Sequence, residues 1–419
     1  MNTPDVVFLI PGFFGFDRFG SFYYFADRMS ADLRGHLEAV LRRSVPVIPL
    51  GAGPADPLSF RQTQFLASMR KIVSTLDGVK RIHLFGHSTG GLDAELFLRR
   101  QRVDREPWTA DDNAIRHRIA SVCTIAAPHY GTTLALTDLS RWLSHPVKEM
   151  SLAGAGLPAV SAFLATVPQH ALSFSQALGG TGALLSFLKK FFQRRELLHD
   201  LMPARIEAER AENVLELSAP VSCFVTCPLP NPKPTLERFD IPDSLFLYLT
   251  NHTAGARVDR VSAEVMDNIA RLNDPSTPVI ASISGTARPP HDFDELDNDA
   301  VVNTARQLLP GAELAAIVYA DHADVLGHYD RRDPAAPDRI INEGVFRSGA
   351  RFGDDEFFVL YREVAARIAA AALAGASPEV ESAPRRGVRI TGDAGVFWSG
   401  GPSAGSTEPM KGDGDERHV

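Results

Sequence analysis

Residues 86–90 read Gly86-His87-Ser88-Thr89-Gly90, a serine with a glycine two positions away on either side. The five residues before it, Arg81 to Phe85, are mostly apolar and strand-like, and a helical pattern begins at once after it. A strand that turns into a helix this tightly strains its middle residue, and small residues on both sides let the turn close. The side chain of Ser88 then stands at the carboxyl end of the sheet, where ligands bind in such folds. The following helix points its amino end at the same spot and favours developing negative charge. Ser88 is therefore the candidate nucleophile. Gly86, His87 and Gly90 support its turn, and the Thr89 N–H faces the site. In isolation the same letters would mean only a Ser-Gly helix cap; the strand before and the helix after are the context that a nucleophile needs.

A serine hydroxyl becomes a good nucleophile when a histidine takes its proton, and a carboxylate must hold that histidine's tautomer. On a sheet of this kind the chain order is serine, acid, histidine. Of the 13 histidines, His322 is best placed, in ADHADVLGHYD just past a confident strand pattern, and His328 is the reserve. His87 points away from the site if Ser88 points into it, so it reads as a packing residue. His83 alternates into the sheet as a core histidine, and His129 in AAPHYGT reads as a loop residue. The acid is expected before the last strand, where HDFDELDNDAVVNT offers Asp292, Asp294, Glu295, Asp297 and Asp299. Asp299 is preferred because the apolar turn after it can anchor its backbone, with Asp297 as the alternative. A second oxyanion donor is expected from LIPGFFGFD, where Gly12 lets the backbone turn and the N–H of Phe13 can face the site.

These side chains need a scaffold. VVFLI (6–10) is a buried-strand run. Phe25, Met29, Leu33, Leu37 and Leu41 recur every four residues and predict a helix over 22–43. SVPVIPL (44–50) predicts a strand. Ser59 can cap a helix carrying Phe65, Leu66, Met69, Ile72, Val73 and Leu76, which Asp77-Gly78 ends. Strand 81–85, helix 90–101 and strand 119–126 follow. Arg99, Arg100, Arg102 and Arg105, mixed with Glu95, Asp104 and Glu106, read as a solvated helix end. Strands alternating with amphipathic helices point to an α/β fold with a mainly parallel central sheet flanked by helices. Further on, VSCFVT (221–226), VIASIS (279–284) and LAAIVYA (314–320) read as strands, and 354–374 as a strong helix. Either VSCFVT or VIASIS can be the sheet strand before the acid, with VSCFVT preferred.

One domain is expected over 1–375. It carries a long, mostly helical lid or cap insertion at about 132–220 and a further insertion at about 228–290. Residues 376–419, poor in large apolar side chains, predict a disordered tail. The formal net charge of −8 argues against a nucleic-acid partner. The apolar region near 147–190 is broken by Pro158 and Pro168 and predicts no membrane span. MNTPDVVFLIPG lacks the marks of a secretory signal, so a cytoplasmic protein is expected unless it leaves by a signal-independent route. Three cysteines fit a reducing compartment. Cys223 and Cys227, about 13 Å apart if on one strand at roughly 3.3 Å per residue, cannot bridge each other and read as buried thiols.

Taken together and in this order, IPGFFGFDRFG, FGHSTGGLDAE, TIAAPHYGT, NDAVV and DHADV resemble the bacterial triacylglycerol lipases of the α/β-hydrolase superfamily, of the Pseudomonas and Burkholderia type. The resemblance covers roughly 5–135 and 295–330. It implies an α/β-hydrolase fold with Ser88 as nucleophile, Asp299 as acid and His322 as base, and with Phe13 and Thr89 as oxyanion donors. It also implies a lid after Gly131 over an acyl cleft, touching a lipid interface. The family usually has a histidine where this chain has Pro11, and its secreted members carry a signal peptide and often a disulfide. They also bind a structural calcium near the catalytic histidine. Asp324 stands at one ligand position, but His328 replaces an expected amide. No other metal or cofactor is implied.

The expected activity is that of a serine carboxylic-ester hydrolase acting on a small-molecule or lipid acyl ester. Acyl transfer or thioester cleavage with the same triad is an alternative, and so is a non-catalytic lipid-binding protein on a hydrolase fold. Apolar residues of the insertion, among them Phe163, Phe174, Leu184 and Phe191, are candidates to cover an acyl chain or to form an ordinary helical core.

Overall fold

In a computed structural model, residues 4–374 are described apart from 14–17, 20–21, 54–55, 138–195, 229–243, 257, 259, 282–291, 334, 343, 345–347 and 351. The residues of the insertion named as candidates to cover an acyl chain or to form a helical core, and the tail 376–419, lie outside the described residues.

Seven strands form one sheet: β1 (Asp5–Ile10), β2 (Val47–Pro49), β3 (Arg81–His87), β4 (Ile119–Ile125), β5 (Val221–Thr226), β6 (Val279–Ile280) and β7 (Glu313–Val318). Their spatial order is β2-β1-β3-β4-β5-β7-β6, and every neighbouring pair is parallel. Strands buried on both faces need apolar residues at nearly every position. That is why VVFLI and VSCFVT read as continuous runs rather than alternations.

Alternate strand residues feed two cores. Val6, Phe8, Ile10, Ile82, Leu84 and Cys223 pack on one face; Val7, Leu9, Phe85, Cys123 and Phe224 pack on the other. Helices α1 (Asp27–Leu41) and α2 (Leu58–Thr75) cover opposite faces. With α2 lie α3 (Thr89–Leu96) and α4 (Ala110–Arg116). The expected four-residue stripe of α1 is buried, with Met29, Leu33 and Leu37 fully enclosed. Beyond the first undescribed insertion segment come α5 (Glu196–Asp200) and α6 (Pro203–Glu212). Helices α7 (Ser244–Gly255) and α8 (Ala263–Leu272) precede β6, and α9 (Asp354–Ala374) packs beside α1. Among the described residues no helix is long and apolar enough to cross a membrane. The three cysteines are buried thiols outside any disulfide.

Both candidate strands before the acid are in the sheet. VSCFVT is the central one, lying between β4 and the last strand, whereas β6 is a two-residue edge strand. Two local expectations are corrected. Helix α2 starts at Leu58 after Pro57, so Ser59 lies inside it and is not the cap. The fixed φ of proline presets the helix start, and the freed Leu58 N–H donates to Asp200 Oδ2 at 3.0 Å. Helix α3 ends at Leu96, not near 101, because Arg99 leaves the helix to form a β-bridge with Leu215. Nor is Arg99 part of a solvated helix end. It is 1% exposed, ion-paired with the equally buried Glu95, and donates to the carbonyl of Asn213.

Candidate active site

Ser88 joins the end of β3 to the start of α3 with φ 56° and ψ −134°. For a residue with a Cβ that backbone is strained, by about 1–3 kcal/mol. The surrounding contacts hold it there: the Ser88 N–H donates to Ile125 O and its carbonyl accepts from Gly91 N–H, both at 2.9 Å. The flanking glycines are needed for close approach. A Cβ on Gly86 would overlap the Gly90 carbonyl, and one on Gly90 would overlap the Ile10 carbonyl at the end of β1. Gly91, which sequence reasoning passed over, is under the same constraint from the Ala127 methyl.

The acid and the histidine come together from two loops that flank β7. His322 Nδ1 donates to Asp299 Oδ2 at 2.8 Å, and the His322 N–H donates to the Asp299 carbonyl at 3.2 Å. Asp299 is fully buried, and its carboxylate is saturated with donors. Oδ1 accepts from the N–H groups of Val301 and Val302 at 3.0 and 2.8 Å, so the apolar turn does anchor it. Oδ2 also accepts from the Thr226 hydroxyl at the end of β5, at 2.5 Å, and from Gln307 Nε2 at 3.2 Å. The orientation of Gln307 is set from its other end, because Oε1 accepts the Thr226 N–H at 2.7 Å. With Nδ1 committed to a carboxylate, the other ring nitrogen of His322 is left as the proton acceptor. Neither Thr226 nor Gln307 carried a signal in the sequence.

The alternatives have other duties. Asp297 accepts the Asp294 N–H at 2.8 Å and shapes a turn. His328 Nε2 donates to the Tyr24 carbonyl at 3.1 Å. His83 is the expected core histidine, between Ser121 Oγ and Asp5 Oδ1. His87 is fully enclosed beside Ser88.

A parallel sheet of order β2-β1-β3-β4-β5-β7 carries a strained serine after its third strand in sequence. An Asp–His pair meets at the same carboxyl end. The chain has the α/β-hydrolase fold.

On the other side of Ser88 lies the loop after β1. A Cβ on Gly12 would meet Ser88 Cβ at 2.6 Å, so loop and serine touch. The Phe13 side chain packs against the cluster formed by Leu58, Leu92, Leu96 and Leu201. Thr89 opens α3, where the first N–H groups have no partner within the helix. Pro11 presents its carbonyl to Arg61 Nη2 at 2.8 Å. Arg61 is itself fully buried and ion-paired with Asp93 of α3, so one guanidinium ties the loop after β1 to the helix after Ser88.

Helix α3 is also tied to the far side of the insertion. Glu95 accepts from His129 Nδ1 at 2.7 Å and from Arg210 Nη2 at 2.8 Å, and pairs with Arg99. Arg210 continues to the His129 carbonyl at 2.9 Å. His129 is thus a loop residue, in the turn after β4, that is fully buried and clamps α3 to α6. Burial opposes the charge of Glu95, but Arg210, Arg99 and His129 outweigh it and hold the carboxyl well below the ordinary value of 4.5. A depressed carboxyl contributes stability that is complete above that ordinary value and is lost as pH falls through the folded value. Glu95→Gln leaves two buried guanidiniums without their counter-charge. It should cost about 3–5 kcal/mol at neutral pH. Urea unfolding of both proteins checks this, and the gap should narrow below pH 4.5. A gap that is independent of pH would remove the ionised-Glu95 account.

Asp324, which stands at the position implied for a calcium ligand, packs against Asp321. Asp324 Oδ2 accepts the Asp321 N–H at 3.0 Å, and Asp321 Oδ1 accepts from Ala323 and Asp324 N–H at 2.9 and 3.0 Å. Burial pushes Asp321 up to about 7; burial, with Asp321 alongside, pushes Asp324 well above the ordinary range. Among the described residues no group of three His, Cys, Asp or Glu side chains could hold an ion.

No family model matches the chain. Over 190 residues it is 29% identical to a triacylglycerol lipase of Pseudomonas fragi, a match covering 43% of this chain and 56% of that lipase. The chain thus spans little more than half the length of that relative. Among solved structures, Staphylococcus hyicus lipase is 13% identical with a TM-score of 0.44, covering 90% of this chain and 98% of that one. EstA from Clostridium botulinum is 15% identical with a TM-score of 0.44, covering 88% of each chain. The likeness is to lipases and esterases.

Proposed function

We propose that the protein is a serine carboxylic-ester hydrolase, lipase-like and of the Pseudomonas and Burkholderia type, acting on lipid or small-molecule acyl esters. The observation that carries the reading is the buried His322–Asp299 hydrogen bond at the same sheet end as the strained Ser88. The 29% identity to a triacylglycerol lipase supports the choice of ester over other acyl substrates.

In this reading Ser88 Oγ bonds to the ester carbonyl carbon, its proton passes to His322 Nε2, and the carbonyl electron pair moves onto oxygen. The N–H groups of Phe13 and Thr89 receive that oxyanion, each worth about 3–4 kcal/mol of barrier. The intermediate collapses by breaking the carbon–oxygen bond to the alcohol, which takes the proton from His322 Nε2. Water then repeats the sequence on the acyl-enzyme and regenerates Ser88. Asp299 stays ionised and holds His322 in one tautomer.

The test is fluorophosphonate labelling with mapping of the modified residue, beside hydrolysis of p-nitrophenyl esters from acetate to palmitate. Labelling confined to Ser88, with activity rising along the series, is the result expected of a lipase. Activity on the short esters alone would reduce the reading to an esterase. An unreactive Ser88 with no hydrolysis would overturn it.

A further inference from the structure

His87 sits one residue before the candidate nucleophile, and both of its ring nitrogens are engaged. Nδ1 lies 2.7 Å from the Tyr24 hydroxyl, and Nε2 lies 2.9 Å from the backbone carbonyl of His322. A carbonyl can only accept, so Nε2 carries the hydrogen. Burial, and then the neighbouring His322, hold His87 well below its ordinary 6.5, so the ring is neutral and Nδ1 accepts from Tyr24 O–H. Burial likewise keeps the Tyr24 phenol protonated, and the Gly12 N–H is hydrogen-bonded to its oxygen. The donors therefore all run one way: Gly12 N–H to Tyr24, Tyr24 O–H to His87, His87 Nε2–H to the His322 carbonyl. The first link leaves the loop that bears Phe13, and the last reaches the backbone of the proposed base. The rings of His87 and His322 lie 4.7 Å apart, centroid to centroid.

We propose that His87 and Tyr24 are positioning residues that lock the oxyanion loop and the His322 backbone into one frame around Ser88, through the chain from Gly12 N–H to His322 O. The inference rests on the proposed roles of Ser88, His322 and Asp299. It assigns His87 no proton transfer. A neutral ring whose one N–H is spent on a carbonyl holds the base without competing with it.

The bond count from Cα makes two substitutions diagnostic. Gln places an amide nitrogen where His has Nε2, whereas Asn reaches only the Nδ1 position. Substituted with Phe, the site keeps the ring volume and loses both hydrogen bonds. For His87→Phe and His87→Asn, kcat on a p-nitrophenyl ester is expected to fall on the order of 10²-fold with KM unchanged, as for a misplaced catalytic group. For His87→Gln most of that loss should be recovered. For Tyr24→Phe, which deletes a single hydroxyl, a fall of about tenfold is expected. Rates are normalised to sites titrated with fluorophosphonate, so misfolded protein does not count. The second readout needs no activity: the low-field proton resonance of His322 Nδ1–H against Asp299. It should be exchange-broadened in the Phe and Asn variants and sharp in wild type and His87→Gln.

Equal kcat in the Asn and Gln variants, with an unaltered low-field signal, would overturn the proposal. If Ser88→Ala abolishes hydrolysis in the same experiment, the hydrolase reading survives that result. If the wild type hydrolyses nothing, the hydrolase reading has failed on its own, and the proton signal still decides whether His87 holds His322. Should His87→Phe not fold, the comparison of Asn with Gln and the Tyr24→Phe variant give the answer.

Discussion

Replacing Ser88 with alanine is expected to lower kcat for ester hydrolysis on the order of 10⁶-fold, without loss of fold. In the proposed mechanism, deletion of one oxygen removes the atom that forms the acyl-enzyme, while the proposed oxyanion donors remain. A residue of catalysis over water should therefore persist. The fold should tolerate the change: the positive φ at position 88 is strained for alanine as it is for serine, and the hydrogen bonds that hold it are made by backbone atoms. The measurement is kcat on a short p-nitrophenyl ester beside the thermal midpoint of each protein. His322→Ala should cost a similar factor, and the double variant little more, because residues acting as one unit are not additive. Retention of more than about 1% of activity in Ser88→Ala, freed of contaminating esterase, would place the nucleophile elsewhere.

Asp299→Asn is expected to lower kcat by about 10⁴-fold with almost no change in substrate affinity. The local hydrogen bonds dictate how the new amide must sit. Two backbone N–H groups, those of Val301 and Val302, demand an acceptor at Oδ1. The asparagine NH₂ must therefore take the Oδ2 position, facing the Gln307 amide and His322 Nδ1. Gln307 has no free reorientation, because its oxygen is held by the Thr226 N–H. His322 responds by accepting at Nδ1 and moving its hydrogen to Nε2, the wrong tautomer to take a proton from Ser88. Asp297→Asn is the control. Its carboxylate serves a turn, and its loss should leave kcat within a few-fold of wild type. If the two variants exchanged their effects, the acid would be Asp297.

Both effects depend on loops that the rest of the molecule fixes from behind. Arg61 joins the Pro11 carbonyl to Asp93, and Glu95 joins α3 to His129, Arg99 and Arg210. Asp93 and Glu95 lie on α3, the helix that follows Ser88. Breaking such a pair is expensive, since one charge is left uncompensated. The Ser88 turn is thus braced from behind by buried ion pairs.

The sequence by itself determined the parts of this protein that are written in short windows. The alternation of apolar runs with four-residue stripes decided the parallel sheet and most of its flanking helices. Periodicity is a local consequence of which face is buried. The Ser88 turn was legible for the same reason, since strand, glycine spacing and helix fall within about twenty residues. The pairing of Asp299 with His322 was legible from chain order and from their place beside β7. Tertiary structure alone decided what each polar residue meets. Arg99 and Glu95 looked like a solvated helix end because their partners, Arg210 and Asn213, lie more than a hundred positions away. Thr226 and Gln307 gave no sign that they would converge on Asp299. His87 looked like packing, and only the folded chain brings its Nε2 to the carbonyl of His322, 235 residues further on. Hydrogen bonds between distant segments leave no periodic trace, because each needs only one donor and one acceptor at a single point in space.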